Sequence, residues 1–194
     1  MIVGVLLAAG AGARFGGGKL LAPLEDGIPV GVRAARTLKG AVDRTVAVVR
    51  ADDAPLLELL GAEGRAVLPV ARASEGMGAS LAYGVTSSPE ADGWVVALAD
   101  MPFVKPETVE AVRRALEAGA PIAAPSFGGR RGHPVGFQRT FYPDLVRLQG
   151  DAGARGLLLR NDEQIVLLEC DDPGAVRDVD TVEDLSRPAP DGNR

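Results

Sequence analysis

Cysteine and histidine each occur once in this 194-residue chain, at Cys170 and His133. A lone cysteine excludes an internal disulfide framework and any zinc site built on thiolates. With one histidine no two-histidine metal site can form. A catalytic metal would therefore rest mainly on oxygen ligands, the preference of magnesium and manganese. Aromatic residues make up only 4% of the chain, too few for the stacking platforms that hold single-stranded nucleic acid. Positive charge is also scarce: 21 Lys and Arg against 26 Asp and Glu leave a net charge of −5, which repels a phosphate backbone on average. Long apolar runs are missing too. The opening MIVGVLLAAGAGARF is short, lacks a basic leader and leads into a glycine loop. It reads as a buried strand, not as a signal peptide or membrane span, and the expected location is the cytoplasm.

What is present is globular. An apolar fraction of 46% with 24% charged residues rules out intrinsic disorder, and the length suits one domain. The expected organisation is one domain over 1–186 and a frayed tail over 187–194. Runs rich in Val, Ile and Leu predict strands at Ile2–Ala8, Thr45–Val49, Arg65–Pro69, Trp94–Ala99 and Gln164–Cys170. Helical patterns lie between them at Val30–Leu38, Ala54–Leu60, Gly78–Val85, Pro106–Ala118, Phe141–Leu148 and Ala152–Arg160. Pro106 suits a first helical turn, Glu107 complements the helix dipole there, and Gly119 can end the helix. Ala120–Gln138, rich in Pro and Gly, predicts two short strands and a loop over the active face. Continuous apolar strands alternating with helices imply an α/β fold, a three-layer α/β/α Rossmann-like arrangement whose mostly parallel sheet has room for one antiparallel strand.

The first strand runs straight into Ala9-Gly10-Ala11-Gly12-Ala13-Arg14-Phe15-Gly16-Gly17-Gly18-Lys19. In an open parallel sheet ligands lie beyond the carboxyl ends of the strands. Glycines there let backbone N–H groups turn toward an anion, and Arg14 and Lys19 add charge. A Walker A loop is excluded because Ala13 stands at its first glycine and Leu20 at its Ser or Thr. A dinucleotide fingerprint is excluded because Phe15 takes the place of the third glycine.

The segment Leu7-Ala8-Ala9-Gly10-x-Gly12-x-Arg14-Phe15-Gly16-x-x-Lys19-Leu20 resembles the signature of nucleotide-sugar-type nucleotidyltransferases. Within them it resembles the molybdenum cofactor cytidylyltransferases and the wider MobA-like NTP transferase family. Five more segments resemble that branch in the same order: Glu75-Gly76-Met77-Gly78-x-Ser80-Leu81, Leu98-Ala99-Asp100-Met101-Pro102, Arg131-Gly132-His133-Pro134-Val135, Gly150-Asp151-x-Gly153-Ala154-Arg155 and Asp178-Val179-Asp180-Thr181-x-Glu183-Asp184-Leu185. The double alanine before Gly10 resembles the cytidylyl rather than the guanylyl enzymes. The resemblance implies a nucleotidyltransferase fold and transfer of CMP from CTP to the terminal phosphate of molybdopterin, with Mg²⁺ (or Mn²⁺) as cofactor. It implies nucleotide contacts at Ala8, Ala9, Gly10, Gly12, Arg14, Lys19, Glu75, Gly76 and Ser80. Acceptor contacts are implied at Arg131, His133, Asp151 and Arg155, and the product would pass to a molybdoenzyme or its insertion chaperone.

Asp100 closes an apolar strand and so lies on the same rim as the glycine loop, where a carboxylate can hold Mg²⁺ against a triphosphate; the alternative is an Asp capping the turn at Pro102. The resemblance makes Asp100 the first metal ligand and Asp180 the match for the second. Asp178 competes with Asp180, because in an extended segment the two share one face. Thr181 and Asp184 fit a helix-start box and read as structural. The chemistry needs alignment and charge neutralisation, which gives Arg14, Lys19 and Asp100 the catalytic roles. A phosphate monoester acceptor, whose second pKa is about 6, is already mostly dianionic at neutral pH, so no base is required. His133 is either an acceptor contact or a turn residue before Pro134, and Arg155 either a phosphate contact or an exposed helix arginine. Other readings are a transferase of the same fold using GTP or a sugar phosphate, an inactive nucleotide-binding module, and a hydrolase on Ser80, Asp100 and His133. The last lacks the buried strand a nucleophile elbow needs before its serine.

Overall fold

The computed structural model describes residues 1–10, 12, 15–71 and 76–186. The expected tail over 187–194, and the expected site residues Arg14 and Glu75, lie outside the described residues. Eight strands and six α-helices are described: β1 (Ile2–Ala8), α1 (Val30–Ala41), β2 (Arg44–Arg50), α2 (Ala54–Ala62), β3 (Ala66–Val70), α3 (Gly76–Thr86), β4 (Gly93–Leu98), α4 (Pro106–Glu117), β5 (Ile122–Phe127), β6 (Arg130–Arg131), β7 (Val135–Gln138), α5 (Tyr142–Leu145), α6 (Arg155–Arg160) and β8 (Ile165–Glu169).

The described strands all join one sheet. β1 lies at its centre, parallel to β2 (Val5 opposite Val46) and to β4 (Val5 opposite Val96), and β3 extends the parallel set beyond β2. β7 runs antiparallel between β4 and β5, and β8 closes that side, parallel to β5. The sheet is thus mostly parallel with an antiparallel insertion, as the sequence pattern predicts. Ala120–Gln138 differs in detail: it holds three strands, not two. β6 and β7 are two pieces of one return strand along β5. Ser126 faces Arg131, whereas Ala123 faces Gly136, so two extra residues are looped out between them. The interruption is Gly132-His133-Pro134, where the His133–Pro134 peptide bond is cis and Pro134 can donate no ladder hydrogen bond.

The alternation of side chains along β1 sorts the core into two layers. Ile2, Leu6 and Ala8 face α1, α2 and α4 through Val30, Leu38, Leu56, Leu60, Val109 and Leu116. Val3 and Val5 face α3, α5 and α6 through Leu81, Val85, Leu145 and Leu157. Trp94 in β4 fills the second layer. Its indole N–H donates to Ser88 Oγ at 3.0 Å, and its ring stacks on Tyr142 at 5.5 Å.

Two helices are shorter than the periodicity predicts. The segment expected as a helix over Phe141–Leu148 is a 3-10 turn over Arg139–Phe141 followed by the single turn of α5. The helix expected from Ala152 starts at Arg155, because Gly153 adopts φ +53°, outside helical geometry. At α4 the predicted Pro106 start holds. Its cap comes from far along the chain: Asp172, buried, accepts from the Lys105 N–H at 2.9 Å and from Thr108 Oγ1 at 2.6 Å. The same carboxylate accepts from the Gly174 N–H at 2.9 Å.

Candidate active site

The parallel strands end on one rim, where their final residues and the loops after them line an open cavity of about 950 Å³. Its walls come from several elements. Leu7 and Ala8 end β1, and Ala9, Gly10 and Gly12 come next in the chain; Arg50 ends β2, with Asp52 two residues on; Val70 ends β3; Leu98 ends β4, with Asp100 just beyond. Gly76, Met77 and Ser80 of α3 form a further wall, joined by Asp151 from the loop before α6.

That loop reaches α3 through a close backbone approach. Gly76 adopts φ +94°, and a Cβ there would lie 2.3 Å from the Gly150 carbonyl carbon. The Gly78 N–H donates to the Gly150 carbonyl at 2.7 Å. Glycine is therefore required for sterics as well as conformation. Ser80 is buried inside α3, and its hydroxyl donates to the Gly76 carbonyl at 3.2 Å. It is a helix residue rather than one on a strand-to-helix turn, so the hydrolase arrangement has no elbow.

Two charged groups of the cavity lining, Lys19 and Asp100, meet a third from late in the chain. Lys19 belongs to a 3-10 turn over Lys19–Leu21, and its Nζ is 2.8 Å from Asp100 Oδ2 and 3.5 Å from Asp180 Oδ1. The Lys19 side chain is 11% exposed, against 28% and 36% for the two carboxylates. The late segment is anchored by the Val179 N–H, which donates to the Asp100 carbonyl at 2.8 Å. Asp184 then accepts from the N–H groups of Asp180 and Thr181 and from the Thr181 hydroxyl. This carboxylate reaches back three residues as the spacing predicts, although the Thr181 hydroxyl donates to it and Val182, not Thr181, precedes the short 3-10 turn over Glu183–Leu185. It turns Asp180 toward Lys19 and leaves Asp178 exposed.

An ammonium bonded to both Asp100 and Asp180 shows that the two carboxylates converge on one cation-sized position. Oxygen donors of this kind suit Mg²⁺ or Mn²⁺ when phosphates and water complete the coordination. Among the described residues no group of three or more His, Cys, Asp or Glu is placed to hold a metal without such help.

Of the residues expected at the acceptor, Asp151 shares the cavity with Gly76 and Ser80. Arg131 is exposed on β6 and pairs with Asp162 at 3.7 Å. Arg155 is exposed at the start of α6. His133 instead lines a small cleft with Leu98, Met101, Val104 and Val109. Burial pushes its pKa down to about 4, against the opposing charge of Asp100. Its Nδ1 is buried with no hydrogen-bond partner, and its backbone N–H donates to the Ala175 carbonyl at 2.8 Å. The acidic turn after Leu24 is held by its own cation: Asp26 accepts from the Ile28 N–H at 3.1 Å and pairs with Arg33.

Sequence reasoning did not single out Arg50 and Asp52, which form a two-bond ion pair (2.8 and 2.5 Å) on the cavity wall. Their signal was available, since both lie at the carboxyl end of a predicted parallel strand.

The chain matches the MobA-like NTP transferase domain over residues 4–173. Purine catabolism protein PucB of Bacillus subtilis (strain 168) is 36% identical, across 94% of this chain and 93% of that protein. Nicotine blue oxidoreductase of Paenarthrobacter nicotinovorans is 32% identical, across 96% and 95%. The crystal structure of Rv0371c from Mycobacterium tuberculosis H37Rv shares the fold with a TM-score of 0.82 and 32% identity over 94% of each chain. A manganese complex of Rv0371C gives a TM-score of 0.78 at 30% identity, over 94% of this chain and 95% of that one.

Proposed function

The chain belongs to the MobA-like NTP transferase family and is a nucleotidyltransferase; from that premise we propose that it transfers CMP from CTP to the terminal phosphate of molybdopterin or its molybdenum-loaded form in the cytoplasm, releasing pyrophosphate. The observation that carries this reading is the convergence of Lys19, Asp100 and Asp180, with Lys19 and Asp100 lining the same cavity as Ala8, Ala9 and Gly10. In the reaction an oxygen of the acceptor phosphate forms a bond to the α-phosphorus of CTP, and the bond from that phosphorus to the β-phosphate bridging oxygen breaks. The dianionic acceptor needs no base, in keeping with a half-buried His133 whose lowered pKa leaves it neutral.

The difficulty is charge, since a dianion must approach a triphosphate. Lys19 and Arg14 are assigned to the phosphates, where preorganised cations stabilise the transferring group. Asp100 and Asp180 would hold Mg²⁺ or Mn²⁺, which supplies further neutralisation when bound. Ala8, Ala9, Gly10 and Gly12 are assigned to the nucleotide, together with Glu75, Gly76 and Ser80. Asp151, Arg131, His133 and Arg155 remain the acceptor assignments that the resemblance implies. Asp151 supports them best, because it already borders the cavity. The choice of cytosine rests on the alanine pair Ala8-Ala9. The test is pyrophosphate release from each nucleoside triphosphate in turn, with Mg²⁺ and molybdopterin. CTP-dependent release that requires molybdopterin is expected. Preference for GTP would overturn the base assignment, and indifference to molybdopterin would overturn the acceptor.

A further inference from the structure

We infer that Lys19 makes this site selective for a metal–triphosphate complex over the free divalent ion, by occupying the cation position itself until a polyphosphate draws it away. The inference rests on the proposed metal role of Asp100 and Asp180, and it concerns what the chain does before nucleotide arrives. The Lys19 ammonium is within bonding distance of both carboxylates, 2.8 Å from one and 3.5 Å from the other. A divalent ion held by the same oxygens at about 2.1 Å would compete for the same lone pairs. It would also leave the ammonium a few ångströms from a double positive charge, in a place where little solvent screens the repulsion. The side chain is mostly covered, so water offers it little compensation for being expelled. Two carboxylates are also too few to hold a six-coordinate ion tightly by themselves.

A triphosphate reverses each of these effects. Its oxygens accept the three ammonium donors in place of the carboxylates. They also complete the coordination of an ion that arrives already bound to them. Lys19 thus acts as a stand-in cation in the empty site and as a phosphate ligand in the filled one. The site therefore discriminates against free metal with no third acidic ligand among the described residues.

The test is Mn²⁺ titration of the whole, nucleotide-free protein, read by the loss of the free-ion electron paramagnetic resonance signal. Lys19→Met keeps most of the apolar stem and removes the charge; Lys19→Gln serves as a second neutral variant, and thermal melting verifies the fold of both. Free Mn²⁺ is expected to bind the neutral variants about tenfold or more tighter than the unsubstituted protein. With excess CTP, which itself takes up Mn²⁺, retention of radiolabelled CTP and Mn²⁺ in equilibrium dialysis is expected to be weaker for the neutral variants than for the unsubstituted protein. Adding Asp100→Asn to Lys19→Met is expected to abolish the gain. Equal or weaker Mn²⁺ binding by both neutral variants would overturn the inference while leaving nucleotidyl transfer intact. A gain that survives Asp100→Asn would also overturn it, because the ion would then be bound elsewhere. Failure of any triphosphate to bind with Mn²⁺ would instead defeat the functional reading on which the inference stands.

Discussion

At the scale of single residues, Lys19 concentrates the most consequence in the fewest atoms. A charge-assisted hydrogen bond is worth about 1.5–3 kcal/mol. Lys19→Ala is therefore expected to lower kcat/KM for the nucleotide by roughly 10- to 150-fold, measured by pyrophosphate release at subsaturating CTP. His133 acts on stability instead. Its folded pKa is near 4, below its ordinary value of 6.5, so the unfolded chain binds the proton more readily. The stability that a neutral His133 supports is complete above pH 6.5 and is lost as the pH falls from there toward 4. Urea midpoints across that window are expected to fall more steeply for the unsubstituted protein than for His133→Gln. Parallel curves for the two would contradict the burial of a neutral imidazole.

At the scale of elements, the informative places are those where one segment closes on another. The start of α3 tolerates no side chain at Gly76, because the Gly150 backbone occupies that space and φ is +94°. Gly76→Ala is expected to destabilise by more than about 1 kcal/mol and to weaken nucleotide binding, because it pushes the Asp151 loop off the cavity wall. Calorimetric melting and nucleotide titration check the two effects separately. In the second core layer, Ser88→Ala removes the partner of the buried Trp94 indole. It is expected to cost about 1–3 kcal/mol, read from denaturant midpoints with an unchanged m-value.

The edge strand β8 differs from the interior strands, since Val166 and Leu167 are exposed on it. The sequence marks β1, β2 and β4 plainly because each is an unbroken apolar run covered on both faces, and their predicted ends fall within a residue of the observed ones. The return strand was harder to read. The looped-out pair of residues around His133 is set by tertiary pairing with β5 and leaves no periodicity. The choice between Asp178 and Asp180 was equally hidden, since alternation puts both on one face. Only the Asp184 box, together with the Val179 bond to Asp100, decides which one reaches Lys19. Asp151, which the motif resemblance implies as an acceptor contact, does border the same cavity as the glycine loop.

At the scale of the whole molecule, the layers are joined by a central sheet, and a ligand bridging the rim reports on all of it. Metal and CTP together are expected to stabilise the folded protein by about 2.7 kcal/mol at a hundredfold excess over Kd. For a chain of this size that raises Tm by roughly 5–10 °C. Either component alone is expected to shift it much less, because each lacks the other's charge. A thermal-shift series with Mg²⁺, CTP and both checks this directly. No helix among the described residues is long and apolar enough to cross a membrane.

The bond from Lys19 to Asp180 joins positions 161 residues apart. During synthesis the glycine loop, β1 and Asp100 all leave the ribosome well before that partner does. A growing chain can therefore assemble most of the sheet while still holding only one of the two acids. The position shared by the two acids is thus complete only after the segment carrying Asp180 has been made and has folded back onto the rim.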